Sequence, residues 1–150
     1  MKLNQIDDTR RKRAILVFIA IVILILFKGF MSPITEVGYI LQKDVFGVEG
    51  NEKTLLFREE SEGVSVLELS CGRFFPEDSE KLFINESTEV EIRKFYPETE
   101  YTVLMRLCVK NETKEYRISR ENFNILEVGK VAKFEVSHSE RDYIKRIVEI

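Results

Sequence analysis

The chain has 150 residues, 44% of them hydrophobic and 33% charged, with a net charge of −3. That balance excludes a disordered chain, and the length leaves room for one ordinary domain. Residues 1–13 carry Lys2, Arg10, Arg11, Lys12 and Arg13 against Asp7 and Asp8, whereas residues 29–150 hold 17 of the 23 Lys/Arg and 24 of the 26 Asp/Glu; so acidic a body repels phosphate backbones, and nucleic acid is not an expected partner.

Residues 14–27, AILVFIAIVILILF, contain no polar residue. A helix apolar on every side has no water-facing side, so the run predicts a lipid-embedded anchor beginning at Ala14. From Ala14 to Phe27 it rises about 21 Å, and continuation through Gly29 and Phe30 to Met31 gives roughly 27 Å, enough for a slightly thinned bilayer with Lys28 snorkelling. Ser32 and Pro33 end it. A secretory signal would close on a small-x-small cleavage site. Here KGFMSP follows, so an uncleaved transmembrane helix over 14–31 is expected. The basic tail, residues 1–13, outweighs Lys28 and Lys43 on the other side of the span. By the positive-inside rule the N-terminus is then cytoplasmic and the C-terminal domain outside. The expected location is the cell membrane, single-pass, with the lipid bilayer as first partner.

Residues 32–36 (SPITE) form a short spacer, and residues 37–150 read as one extracytoplasmic domain. Runs at 37–46, 53–59, 64–70, 88–95, 101–109, 115–119, 131–136 and 143–149 read as strands between turn signals such as Gly50-Asn51. Residues 88–95 alternate, with Val90 and Ile92 on one face and Glu89, Glu91 and Arg93 on the other, a period of two. In 101–109, Tyr101, Val103, Met105, Leu107 and Val109 share a face, and Asn111-Glu112-Thr113 turns the chain. Ser119 can cap a short helical turn reaching Leu126. The expected fold is all-β: a small sandwich or barrel of about 7–8 short strands behind one transmembrane helix. Residues 73–77 resemble 94–98, and 82–92 resemble 126–136, but the offsets differ and define no single duplication.

Cys71 and Cys108, the only cysteines, are a candidate disulfide in an extracytoplasmic compartment, worth roughly 3–4 kcal/mol if unstrained; the other reading is two buried thiols. With no CxxC and no histidine cluster they make no zinc site. Asn85-Glu86-Ser87 and Asn111-Glu112-Thr113 match the N-glycosylation pattern, and Asn111 equally suits a left-handed turn position. His138, between Ser137 and Ser139, sits in a polar turn without the third member of a triad. Glu59, Glu60 and Glu62, and Glu77, Asp78 and Glu80, lack calcium-loop spacing and read as solvated turns. Phe74-Phe75-Pro76 and Phe95-Tyr96-Pro97 are either core aromatics entering Pro-fixed turns or partner-docking loops built on Phe74, Phe75, Phe95 and Tyr96. Phosphate-binding, dinucleotide-binding, hydrolase and zinc-protease motifs are absent, so no cofactor, metal or catalytic residue is expected.

A basic tail, a short Ile-rich span and a Glu/Lys-rich strand domain together resemble the small single-pass membrane proteins common in archaea. The resemblance covers the layout and composition of the whole chain and rests on no motif. It implies no activity and no functional residue. The expected function is therefore a membrane-anchored, non-enzymatic β domain that contacts another membrane or envelope protein. The alternative is a module binding a saccharide or peptide.

Overall fold

The computed structural model describes the backbone of residues 3–66 and 81–150 and the side chains of residues 11–28, 32–64 and 81–150. The chain forms two compact units, Met1–Pro33 and Ile34–Ile150.

The first unit is a single helix, α1, Leu3–Met31. It runs through the basic tail as well as the apolar run, because Gln, Arg, Lys, Ala and Leu are good helix formers and neither Gly nor Pro occurs before Gly29. Ser32 Oγ donates to Lys28 O at 2.9 Å, and Pro33 cannot extend the helix. Ile15–Phe27 is exposed around the whole circumference, its large apolar side chains between 37% and 68%. Among the described residues no helix is long and apolar enough to cross a membrane. Arg11, Lys12 and Arg13 close the uncharged run at one end and Lys28 at the other.

The second unit is mostly β. Its elements are β1 (Ile34–Glu49), β2 (Glu52–Glu60), β3 (Gly63–Val66), α2 (Glu86–Arg93), β4 (Glu98–Leu107), β5 (Thr113–Ile118), α3 (Arg120–Ile125), β6 (Val131–Val136) and β7 (Tyr143–Glu149). The sheet order is β3-β2-β1-β4-β5-β7-β6, and β6 returns to pair with the first half of β1. Five strands, β1, β4, β5, β7 and β6, thereby close a barrel, while β2 and β3 extend the sheet beyond the second half of β1. All pairings are antiparallel except β5 with β7, where Arg117 faces Tyr143 and Ile118 faces Ile144. Closure gives every barrel strand a partner on both sides, the most complete answer to exposed strand edges.

β1 is long because it serves three partners: β6 over Ile34–Tyr39, β2 over Lys43–Glu49, and β4 along most of its length. Register shifts at Ile40/Gln42 and Val45/Phe46 bend it. Bulges of this kind let one strand turn a barrel corner. Inside lie Val103 and Met105 of β4, Tyr116 of β5, and Ala132 and Phe134 of β6. Tyr116 meets Phe134 edge-on at 5.2 Å between ring centres, and Tyr101 meets Phe123 of α3 at 5.3 Å. Each such side chain contributes about 1.5–3 kcal/mol by leaving water. At Gly47, Tyr96 packs directly over the backbone where a Cβ would otherwise sit.

Several expectations are corrected. The spacer is only Ser32-Pro33, since β1 begins at Ile34. Residues 86–93 are helix, not strand. Asn85 caps α2 by accepting from Thr88 N at 2.8 Å, Glu86 and Glu89 occupy the first turn and Arg93 the last, and Thr88 and Ile92, four apart, face inward. Cap and dipole complementarity outweigh the apparent period of two. With 86–93 helical and 131–136 strand, the segments that resemble each other differ in structure. Val109 does not join the inward face of β4, because the strand ends at Leu107, and it stands 90% exposed in the turn. Ser119 does cap α3, accepting from Asn122 N at 3.3 Å.

Candidate functional site

Four charged groups near the bend of β1 hold the barrel to its extension. Lys43 and Asp44 are neighbours in β1, yet 2% and 4% exposed. The Lys43 ammonium lies 3.2 Å from Glu59 of β2 and donates to Leu82 O at 3.2 Å and Leu126 O at 2.9 Å. It also sits 4.5 Å above the Phe123 ring. Glu59 in turn accepts from Leu82 N at 2.9 Å. Burial pushes the Lys43 pKa down and the Glu59 charge only partly opposes it. Three donors meeting three acceptors is complete satisfaction for a buried ammonium. On the opposite face Arg58 grips Asp44 with two bonds, 2.9 and 3.0 Å, and Asp44 holds the Arg58 pKa up. These groups stabilise one arrangement of the sheet, with Lys43, Asp44 and Glu59 all buried.

Two surface grooves are better placed to meet another molecule. The first, about 220 Å³, lies across β1, β2, β4 and β5, lined by Phe46, Lys53, Glu100, Thr102, Glu115, Arg117 and Asp142. Four of its five charged residues are already in pairs. Lys53 donates to Glu100 at 2.6 Å, and Arg117 donates to Asp142 at 3.0 Å and to Glu140 at 3.3 Å. The guanidinium holds the Asp142 pKa below the usual carboxylate range. A polar ligand entering here exchanges its own hydrogen bonds for these exposed ones, which are individually weak.

The second groove, about 260 Å³, is apolar and lies between the start of β1 and the β4–β5 turn: Ile34, Thr35, Glu36, Val37, Leu107, Val109 and Lys110. Its one carboxylate, Glu36, accepts from Tyr116 Oη and from Lys110 at 3.2 Å. Burial alone would raise the Glu36 pKa, but those hydrogen bonds and the charges of Lys110 and Lys114 lower it. Burial and then Glu36 push Tyr116 up. Elsewhere, the buried hydroxyl of Thr99 has no hydrogen-bond partner among the described residues. Burial, reinforced by Glu89, pushes the Tyr101 pKa up.

The sequence-derived sites fall as follows. Ala14 and Phe27 bound the apolar run of α1, and Arg11, Lys12 and Arg13 stand exposed beside it. The side chains of Arg10 and Met31, and the whole of Cys71, Phe74 and Phe75, lie outside the described residues. Cys108 is an exposed thiol beside Val109. Asn85 spends its side-chain oxygen on the α2 cap, accepting also from Ser87 and Thr88 hydroxyls at 2.6 and 2.9 Å. Asn111 takes the left-handed conformation, φ 50°, in the β4–β5 turn. Phe95 is exposed, whereas Tyr96 packs against the core over Gly47 and is no free docking residue. His138 is exposed in the β6–β7 turn, where Ser137 and Ser139 hydroxyls lie 3.0 Å apart. Glu59 is not a solvated turn residue but a buried partner of Lys43. No group of three or more metal-ligating residues occurs among the described residues.

Sequence reasoning missed both grooves. Their linings come from separate strands, and only the order of pairing brings them together. In comparisons with known proteins, the chain matches no protein family, no curated protein and no solved structure.

Proposed function

We propose that this chain is a membrane-tethered, non-enzymatic binding domain that works outside the cytoplasm by contact with another membrane or envelope protein, with α1 inserted in the bilayer as its anchor. One observation carries the reading: an apolar surface around the full circumference of α1, from Ile15 to Phe27, with every large side chain exposed. Burying one such side chain is worth about 1.5–3 kcal/mol, so water is the least favourable surrounding for it. A bilayer covers all sides at once, whereas one protein partner covers a single stripe. The uncharged run is shorter than the hydrocarbon core. Lys28 can extend its stem towards the headgroups, and local thinning absorbs the remaining mismatch. Arg11, Lys12 and Arg13 before the span favour a cytoplasmic N-terminus.

The test is affinity purification of the tagged full chain from its native membranes in a mild detergent. A stoichiometric membrane or envelope protein supports the reading. Repeated recovery of a lone chain contradicts it.

A second reading, a small-ligand module, draws on the strand order. Counted along the chain, the barrel strands lie first, second, third, fifth, fourth, with the third and fifth parallel. This is the arrangement of OB-fold barrels, whose second- and third-strand face binds oligonucleotides or oligosaccharides. The polar groove at Thr102 and Arg117 opens on that face, and the acidic body favours a saccharide over a nucleic acid. The argument is one of fold analogy. A saccharide that raises the melting temperature of the full chain, but not of an Arg117→Ala variant, would favour it.

A further inference from the structure

We infer that the apolar groove at the start of β1 rests on the bilayer surface, with Val109 and Ile34 entering the boundary between headgroups and acyl chains. The inference builds on the anchor reading above.

Three observations converge on this occupant. The first is tether length. Only Ser32 and Pro33 separate the end of α1 from Ile34. Three residue steps span at most about 11 Å, so an inserted α1 keeps Ile34, one residue of this groove, within that distance of its own end. The second is the side chain at the turn. Val109 is 90% exposed, the most exposed large apolar side chain among the described residues of the barrel unit, and it lines the groove together with Ile34, Val37 and Leu107. A lone exposed valine is ordinary, but one on the rim of an apolar groove makes a continuous surface. The third is charge. Lys110 stands on the rim with its side chain 58% exposed, and Lys114 follows at the start of β5, above the Tyr116 ring. An apolar floor with ammonium groups at its edge suits lipid, where the stems lie along the acyl boundary and the heads meet phosphate. The Glu36 carboxylate does not oppose this, because Tyr116 and Lys110 already bond it.

Cys108, exposed and adjacent to Val109, allows a direct test on the full chain. A Cys71→Ser variant is labelled at Cys108 with an environment-sensitive fluorophore and reconstituted into phosphatidylcholine–phosphatidylglycerol vesicles. The control carries Cys71→Ser, Cys108→Ser and Glu98→Cys, which moves the label to the far end of β4, roughly 30 Å along the strand. Quenching is measured with aqueous iodide and with lipids bearing a nitroxide near the headgroup. The expected result is strong nitroxide quenching and several-fold weaker iodide quenching at residue 108 than at 98, partly reversed by Val109→Asp. Equal iodide access at both positions would overturn the inference. So would a residue 108 probe shielded from iodide but untouched by nitroxide, which would assign the groove to a second copy of the chain. Flotation of the same vesicles separates the two levels. Protein that fails to float refutes the anchor and this contact with it, whereas protein that floats with a water-exposed residue 108 refutes the contact alone.

Discussion

Replacing Lys43 by Met keeps most of the side-chain volume and removes only the ammonium. Glu59, with its side chain 6% exposed, is left charged with Leu82 N as its one described donor, and Leu82 O and Leu126 O lose theirs. Removing one partner of a buried pair costs about 3–5 kcal/mol, against the 5–15 kcal/mol by which a domain of this size is typically stable. A volume-conserving swap by itself costs under about 1.5 kcal/mol. The charge, not the packing, should therefore dominate. Adding Glu59→Gln removes the stranded charge while keeping an acceptor for Leu82 N, so the double variant should recover about 0.5–3 kcal/mol relative to Lys43→Met. Urea unfolding of the full chain in detergent, followed by near-ultraviolet circular dichroism, measures both. All five tyrosines lie in residues 34–150, so the signal reports the barrel unit. A Lys43→Met cost near 1 kcal/mol, or a double variant no more stable than the single, would refute the reasoning.

Three further perturbations probe separate elements. Gly47→Ala sets a Cβ within 2.7 Å of the Tyr96 ring and should cost about 1–3 kcal/mol. Adding Tyr96→Ala should make the pair less than additive in the same unfolding assay. Asn85→Ala removes the α2 cap and should cost about 1 kcal/mol; Asn85→Asp, which keeps the acceptor and abolishes the glycosylation pattern, should cost far less. For pH, the Glu36 pKa is lowered from 4.5 in the folded chain. Its contribution is complete above pH 4.5 and is lost as pH falls through the folded value. Glu36→Gln should therefore flatten the acid limb of the melting-temperature profile without changing its slope at neutral pH.

Much of the β unit is legible along the chain because alternation survives in strands with one buried face. Residues 131–136 and 143–149 form strands with the expected bounds, and Ser119 and Asn111 take the cap and the left-handed turn that their side chains favour. α2 is misread because Glu89-Val90-Glu91-Ile92-Arg93 satisfies a period of two as well as it satisfies Thr88 and Ile92 four apart. The cap at Asn85, three residues before Thr88, was the signal that distinguishes them. The inward Lys43 and Glu59 leave no local trace, since a charge in a strand ordinarily points to water. The bends in β1 allow Lys43, Asp44 and Val45 all to be buried in succession, and a bulge has no reliable pattern in a single sequence. The closing pair of β1 with β6 is a matter of topology, as are both grooves. Fold class was thus accessible from periodicity, whereas the surfaces that can meet a partner were not.

The central claim is that α1 holds this chain in a membrane with the barrel outside, and alkaline carbonate extraction combined with impermeant maleimide labelling tests it most directly. Cells producing a Cys71→Ser, Cys108→Ser, Glu98→Cys variant, whose one thiol stands at an exposed position of β4, are labelled intact, and their membranes are then washed at alkaline pH. The account predicts that the chain stays in the pellet and that the residue 98 thiol reacts before lysis. Release of the chain into the wash would contradict insertion, and a residue 98 thiol that reacts only after lysis would contradict the orientation.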